Sequence, residues 1–145
     1  MVGLLQRVAW ARVEVDGACV AEIGRGLLVL VGVERGDDEA RARRLCQRLL
    51  GYRVFPDSDG RMNLSLADIG GGLLLVPQFT LAADTRKGTR PGFSSAAGPE
   101  PGRRLFEWLC AHAGAGYPRV ASGVFGGDMQ VSLLNDGPVT FWLQV

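Results

Sequence analysis

The sequence holds one histidine, His112, among 145 residues, with three cysteines and a single lysine, Lys87. That scarcity excludes much chemistry. Ser-His-Asp and Cys-His systems need an imidazole beside the nucleophile, and His112 falls near the end of a helical pattern, away from every glycine-rich loop. Histidine-dependent metal sites are equally short of ligands. Cys19, Cys46 and Cys110 are odd in number and lack C-x-x-C spacing, so neither a disulfide framework nor a zinc knuckle is indicated. No apolar run approaches the ~18 residues of a membrane span, and residues 1–7 lack the basic start of a cleavable leader. The expectation is a soluble cytoplasmic protein with no membrane association, no metal and no cofactor.

An excess of either charge is also missing. Lysine plus arginine number 16 against 15 acids, a net charge of +1. Binding nucleic acid by bulk charge is thereby excluded, and any such partner must be met by a local patch. Phosphate-loop motifs fail too: there is no G-x-x-x-x-G-K-[ST], and Gly24-x-Gly26 lacks a third glycine. The acidic turn at residues 57–60 lacks the ligand spacing of a calcium loop. Any catalysis must rest on backbone dipoles, positioning, or groups that a substrate brings.

What is present is apolar material, 47% of the chain, enough for one domain with a full core. Residues 4–15 alternate as a strand, and Asp16-Gly17 signals a hairpin into residues 19–23. Gly24-Arg25-Gly26 is read as a turn into the apolar run 27–33, giving an antiparallel meander. Residues 73–76 form a second run of the kind buried on both sheet faces. A helix starts at Asp37-Asp38-Glu39 with Leu45, Cys46, Leu49 and Leu50 as its stripe. A second helix runs from Pro99 to about His112. Short strands are expected at 52–55, 119–125, 129–134 and 139–145, with Asn135-Asp-Gly-Pro138 linking the last two. The predicted fold is a single α+β (α/β) domain over residues 1–145. It has a mixed, barrel-like curled sheet of about seven strands and two main helices.

Two segments stand out. Gln78-Phe79-Thr80 follows a buried strand, where side chains emerge at the sheet end. Gly137-Pro138 interrupts two strands, and proline removes a ladder donor. Plainer alternatives remain open: a strand-end trio with Phe79 in the core for the first, and an ordinary tight turn for Gly137-Pro138.

At these residues the chain resembles the bacterial D-aminoacyl-tRNA deacylases. The likeness runs from Gln6-Arg7-Val8 through Met62-Asn-Leu-Ser-Leu66, Gln78-Phe-Thr-Leu81 and Asp84-Thr-Arg-Lys-Gly88. It continues through Asp128-Met-Gln-Val131 to Asn135-Asp-Gly-Pro-Val-Thr140. The resemblance implies a homodimeric proofreading hydrolase that cuts the ester between a D-amino acid, or mischarged glycine, and the 3′ end of tRNA. It implies that Gly137-Pro138 is cis and enters the partner's site, with Arg7 holding the pair. It places Gln78, Phe79 and Thr80 in the catalytic pocket, Phe125 and Met129 near the terminal adenine, and Ala96 as a small pocket residue. With no histidine to activate Thr80, a route through the tRNA 2′-hydroxyl and a backbone oxyanion site is preferred over a threonine nucleophile. One departure is Pro77, where most members of the family have serine. Two rival readings are a deacylase of relaxed chirality that also removes L-alanine, and a dimeric tRNA- or DNA-binding protein without turnover.

Overall fold

The computed structural model describes residues Met1–Val145. The alternating stretch forms β1 (Val2–Val15). Asp16 and Gly17, at φ 50° and 77°, turn it into β2 (Ala18–Ile23), as the Asp-Gly signal predicts. The expected reversal at Gly24–Gly26 does not occur. Ala11 faces Ile23 and Val8 faces Gly26, so β3 (Gly26–Gly32) continues β2 along the same edge of β1 and in the same register. Neither Gly24 nor Gly26 takes the positive φ that a tight hairpin requires. In place of a meander there is one return strand with a break in it.

β3 pairs in parallel with β6 (Gly72–Pro77), and β6 pairs in parallel with β7 (Val120–Ser122). This central position explains the two continuous apolar runs, since parallel strands are covered on both faces. Leu27, Val29, Leu73 and Leu75 join Leu45 and Leu49 of α1 (Glu39–Gly51) and Phe106 and Leu109 of α3 (Pro99–Gly116) in the main core. Leu28, Leu74 and Val76 point the other way, into a smaller cluster with Val8, Ala11 and Val13. The mixed sheet is nearly closed and barrel-like, and the α+β class agrees with the sequence reading. β3 and β6 leave no room for a side chain where Gly26 meets Gly72: a Cβ on Gly26 would lie 2.0 Å from the Gly72 carbonyl oxygen.

Details differ from the expectation for local reasons. A short third helix, α2 (Leu66–Ile69), is set by a capping box between Ser65 and Asp68. The 52–55 strand reduces to β4 (Phe55–Pro56), paired with β5 (Met62–Leu64). α3 passes His112 because Ala113 is buried in the core and its carbonyl accepts the Tyr117 N–H. The two closing strands are one, β8 (Met129–Gln144), which pairs with β1 over nearly its whole length.

Candidate active site

Pro77 ends β6, and the N–H of Gln78 donates to the Val31 carbonyl at 2.8 Å. A short 3-10 helix (Phe79–Ala82) follows and pushes the Phe79 ring outward, 58% exposed. The N–H groups of Phe79 and Thr80 open this helix and have no partner inside it. The Gln78 side chain donates to Thr80 Oγ1. Thr80 therefore meets an amide and no base.

The loop after the 3-10 helix returns to the same place. The Glu34–Ala96 bridge, with Arg35 N–H on the Ser95 carbonyl at 2.8 Å, lays it against the end of β3. Phe93 comes to 5.1 Å from Phe79, centroid to centroid. From the other side, Phe125 leans on Phe106 at 6.2 Å, and the Arg103 guanidinium lies 5.1 Å over its ring. Phe79, Phe93 and Phe125, with Pro77, Ala96 and Arg35, line an aromatic cavity of about 440 Å³. Met129 sits just behind it: its sulfur accepts the Val124 N–H at 3.4 Å and packs against Gly123 beside Pro77.

Phe79, Ala96 and Phe125 are thus brought together, with Gln78, Thr80 and Met129 at the margin. Phe93 and Arg35 line the cavity too, though the sequence reading did not single them out. Phe93 sits in a polar loop, and only the loop's tertiary pairing turns its ring inward.

The other expected residues lie elsewhere. Gln6 faces Thr140 and Val8 faces Asn135, so Arg7 alone stands opposite the bulged residues 136–139. Gly137-Pro138 is a cis peptide, and Gly137 has φ 143°. The Asn135 side chain clasps the base of the bulge, donating to Thr140 Oγ1 at 2.9 Å and accepting the Val139 N–H at 2.7 Å. Arg7 faces Leu27 across the sheet, and Leu27 faces Leu73. Pro77 is four residues further along β6, so the bulge on β8 lies about 13 Å back along the strands from the cavity, with β1 and β3 between β8 and β6. Trp10 opposite Leu134, an exposed apolar pair, and exposed Trp142 opposite the half-buried Leu4 flank it.

Beyond the cavity, Asp84 and Gly92 exchange both main-chain hydrogen bonds, at 2.7 and 3.0 Å, and close a loop that carries Arg86, Lys87 and Arg90. Arg86 donates to both Asp84 carboxylate oxygens and holds that carboxyl well below the usual range.

A family profile described as D-Tyr-tRNA(Tyr) deacylase matches residues 4–144. A D-aminoacyl-tRNA deacylase of Alkalilimnicola ehrlichii is 65% identical over 144 residues, 99% of this chain and 96% of that protein. One of Thioalkalivibrio sulfidiphilus is 63% identical, covering 100% of this chain and 97% of its own. Among solved structures, the c-Myc DNA unwinding element binding protein superposes with TM-score 0.96 at 34% identity, covering 100% of this chain and 99% of the other. A probable eukaryotic D-amino acid tRNA deacylase, 19% identical with TM-score 0.83, covers 99% of this chain and 98% of its own and shares the fold.

Proposed function

The chain belongs to the D-Tyr-tRNA(Tyr) deacylase family, a family of hydrolases, and from that premise we propose how it edits aminoacyl-tRNA. The aromatic cavity takes the 3′-terminal adenosine, with the base between Phe79, Phe93 and Phe125 and beside Ala96 and Met129. The aminoacyl ester then rests against residues 78–80. The α-ammonium group of the amino acid is met by the main-chain oxygens of Gly137-Pro138 from a second copy of the chain.

The observation that carries this reading is the separation of the two halves. Within one chain the Gly137-Pro138 bulge is exposed and lies about 13 Å along the strands from the cavity, on the far side of β1. A cavity and a rigid loop this far apart complete one site only if two copies exchange loops. The exposed Trp10, Leu134 and Trp142 around the bulge give a second copy apolar surface to cover.

Chirality follows from geometry. With the ester and nitrogen both fixed, the two enantiomers direct their side chains differently, and one direction meets backbone. A penalty of ~4–5 kcal/mol gives more than a thousandfold discrimination, since each ~1.4 kcal/mol is tenfold. No side chain of the amino acid is read. D-amino acids of many kinds pass, and so does glycine.

Hydrolysis proceeds by substrate assistance. The 2′-hydroxyl of the terminal adenosine helps water attack the ester carbonyl, and the developing oxyanion is held by main-chain N–H groups. The Gln78 N–H is engaged by Val31, so this duty falls to Phe79 and Thr80. Thr80 Oγ1 accepts from the Gln78 amide, a contact that orients the hydroxyl without activating it. The test is Thr80→Ala on D-aminoacyl-tRNA: a loss under ~10-fold is expected, and a loss of ~10⁴-fold would make Thr80 the nucleophile.

A second reading, binding of nucleic acid without turnover, draws on the similarity to the c-Myc DNA unwinding element binding protein. Binding of charged tRNA with no loss of its ester would favour it. Comparing D-alanyl with L-alanyl tRNA checks whether Pro77, which lines the cavity, relaxes the chiral filter.

A further inference from the structure

We propose that the loop closed by Asp84 and Gly92 is a seat for backbone phosphates of the single-stranded RNA that leads into the aromatic cavity. The inference rests on the reading that this cavity holds a terminal adenosine.

The loop lines its own cavity of about 470 Å³, walled by Asp84, Arg86, Lys87, Arg90, Gly92 and Ser94. No apolar side chain contributes, so a base or an acyl group gains nothing by entering. Three cations face one carboxylate, in a chain whose net charge is only +1. The carboxylate is already spent: Arg86 donates to it from Nε at 2.8 Å and from Nη2 at 2.7 Å. The Arg86 main-chain N–H donates to the same carboxylate at 3.1 Å. Lys87 and Arg90 form no ion pair with any carboxylate of the chain. Two uncompensated, solvated cations on a loop pinned at its base suit anions that carry one charge per nucleotide.

Phe93 fixes the link between the two cavities. Its neighbours Gly92 and Ser94 line the basic cavity, while its ring lines the aromatic one and packs against Phe79. The two spaces share this wall. A nucleoside stacked on Phe93 thus has the basic loop beside it, where the preceding phosphates of its strand can lie. Arg103 of α3 is differently placed, over the Phe125 ring and 3.7 Å from Glu107. Phosphate binding of this kind carries no sequence information; it sets the register of the strand in the site.

The test is binding of a short single-stranded RNA ending in adenosine to the full chain and to the double variant Lys87→Gln, Arg90→Gln, across a salt series. Both side chains are exposed, so the fold is kept, which a melting curve checks. The expected result is roughly tenfold weaker binding, with the slope of log K against log salt reduced by about 1.4, or 0.7 for each phosphate no longer neutralised. An unchanged affinity and slope would overturn the proposal. So would deacylation that falls by the same factor on aminoacyl-tRNA and on the phosphate-free aminoacyl ester of adenosine. Should the unaltered chain cleave neither ester, the editing reading fails by itself, and the RNA-binding comparison still decides this one.

Discussion

Arg7 reaches across the β1–β8 bulge and donates from Nε to the main-chain oxygen of Asp136 at 2.8 Å. Its Nη1 donates to the Val54 carbonyl at 2.7 Å, so one guanidinium ties β1, the bulge and the segment before β4. A lysine at this place has no planar fork to serve both acceptors. Losing one charge-assisted bond costs ~1.5 kcal/mol or more. Arg7→Lys is expected to lower kcat/KM on D-aminoacyl-tRNA by at least about tenfold, measured beside a melting curve that shows the fold retained.

Gly137 tolerates no side chain. At φ 143° its conformation is one that L-residues rarely adopt, and a Cβ would stand 2.6 Å from Val139 Cγ2 and 3.1 Å from Arg7 Nη2. Gly137→Ala must reshape the bulge that the proposed site depends on. Steady-state kinetics should show kcat/KM falling by ~100-fold, the scale of a positional error of about 1 Å. Near-normal kinetics would remove the pair from the site.

The close approach of Gly26 to Gly72 sets a different limit. The neighbouring atoms are backbone and cannot swing away, so Gly26→Ala forces β3 and β6 apart at the start of their parallel ladder. The expected cost is ~3 kcal/mol or more, read from urea denaturation. Gly24, which has open space around it, is the control: alanine there should cost under about 1 kcal/mol.

The cysteines make a prediction in pH. Burial pushes the Cys110 thiol up from 9.0 to about 11, and raises Cys46 as well, whereas Cys19 is exposed. At pH 8 a thiol reagent should modify one residue quickly, and Cys19→Ser should abolish that phase. A raised folded-state value means that these thiols contribute stability below pH 9, and that the contribution is lost as pH rises through about 11. Denaturation midpoints should therefore fall over that interval, and less steeply in Cys110→Ala.

The strongly patterned elements were legible from sequence because their burial is local and periodic. The runs around Leu28 and Leu74 became β3 and β6, and Leu45 and Leu49 face the core from α1. What sequence hid was set by partners distant in the chain. Gly24 signals a turn, yet β1 is long enough to hold β2 and β3 end to end. Asn135-Asp-Gly-Pro138 looks like a link between strands, yet β1 pairs on both sides of it. The pocket was half legible. Phe79 follows a buried strand, where a core position was equally open and only the family resemblance pointed to a pocket, whereas Phe93 and Arg35 reach the cavity only through the Glu34–Ala96 and Asp84–Gly92 bridges.

The distance between the bulge and the cavity within one chain has a consequence for how activity is counted. On the proposed arrangement, neither a Gly137→Ala chain nor a Phe79→Ala chain works well alone, but mixing them rebuilds intact sites in the hybrids. Dilution works in the opposite direction. Once monomers predominate, the rate must fall with the square of protein concentration, because catalysis has become a second-order property of the pair.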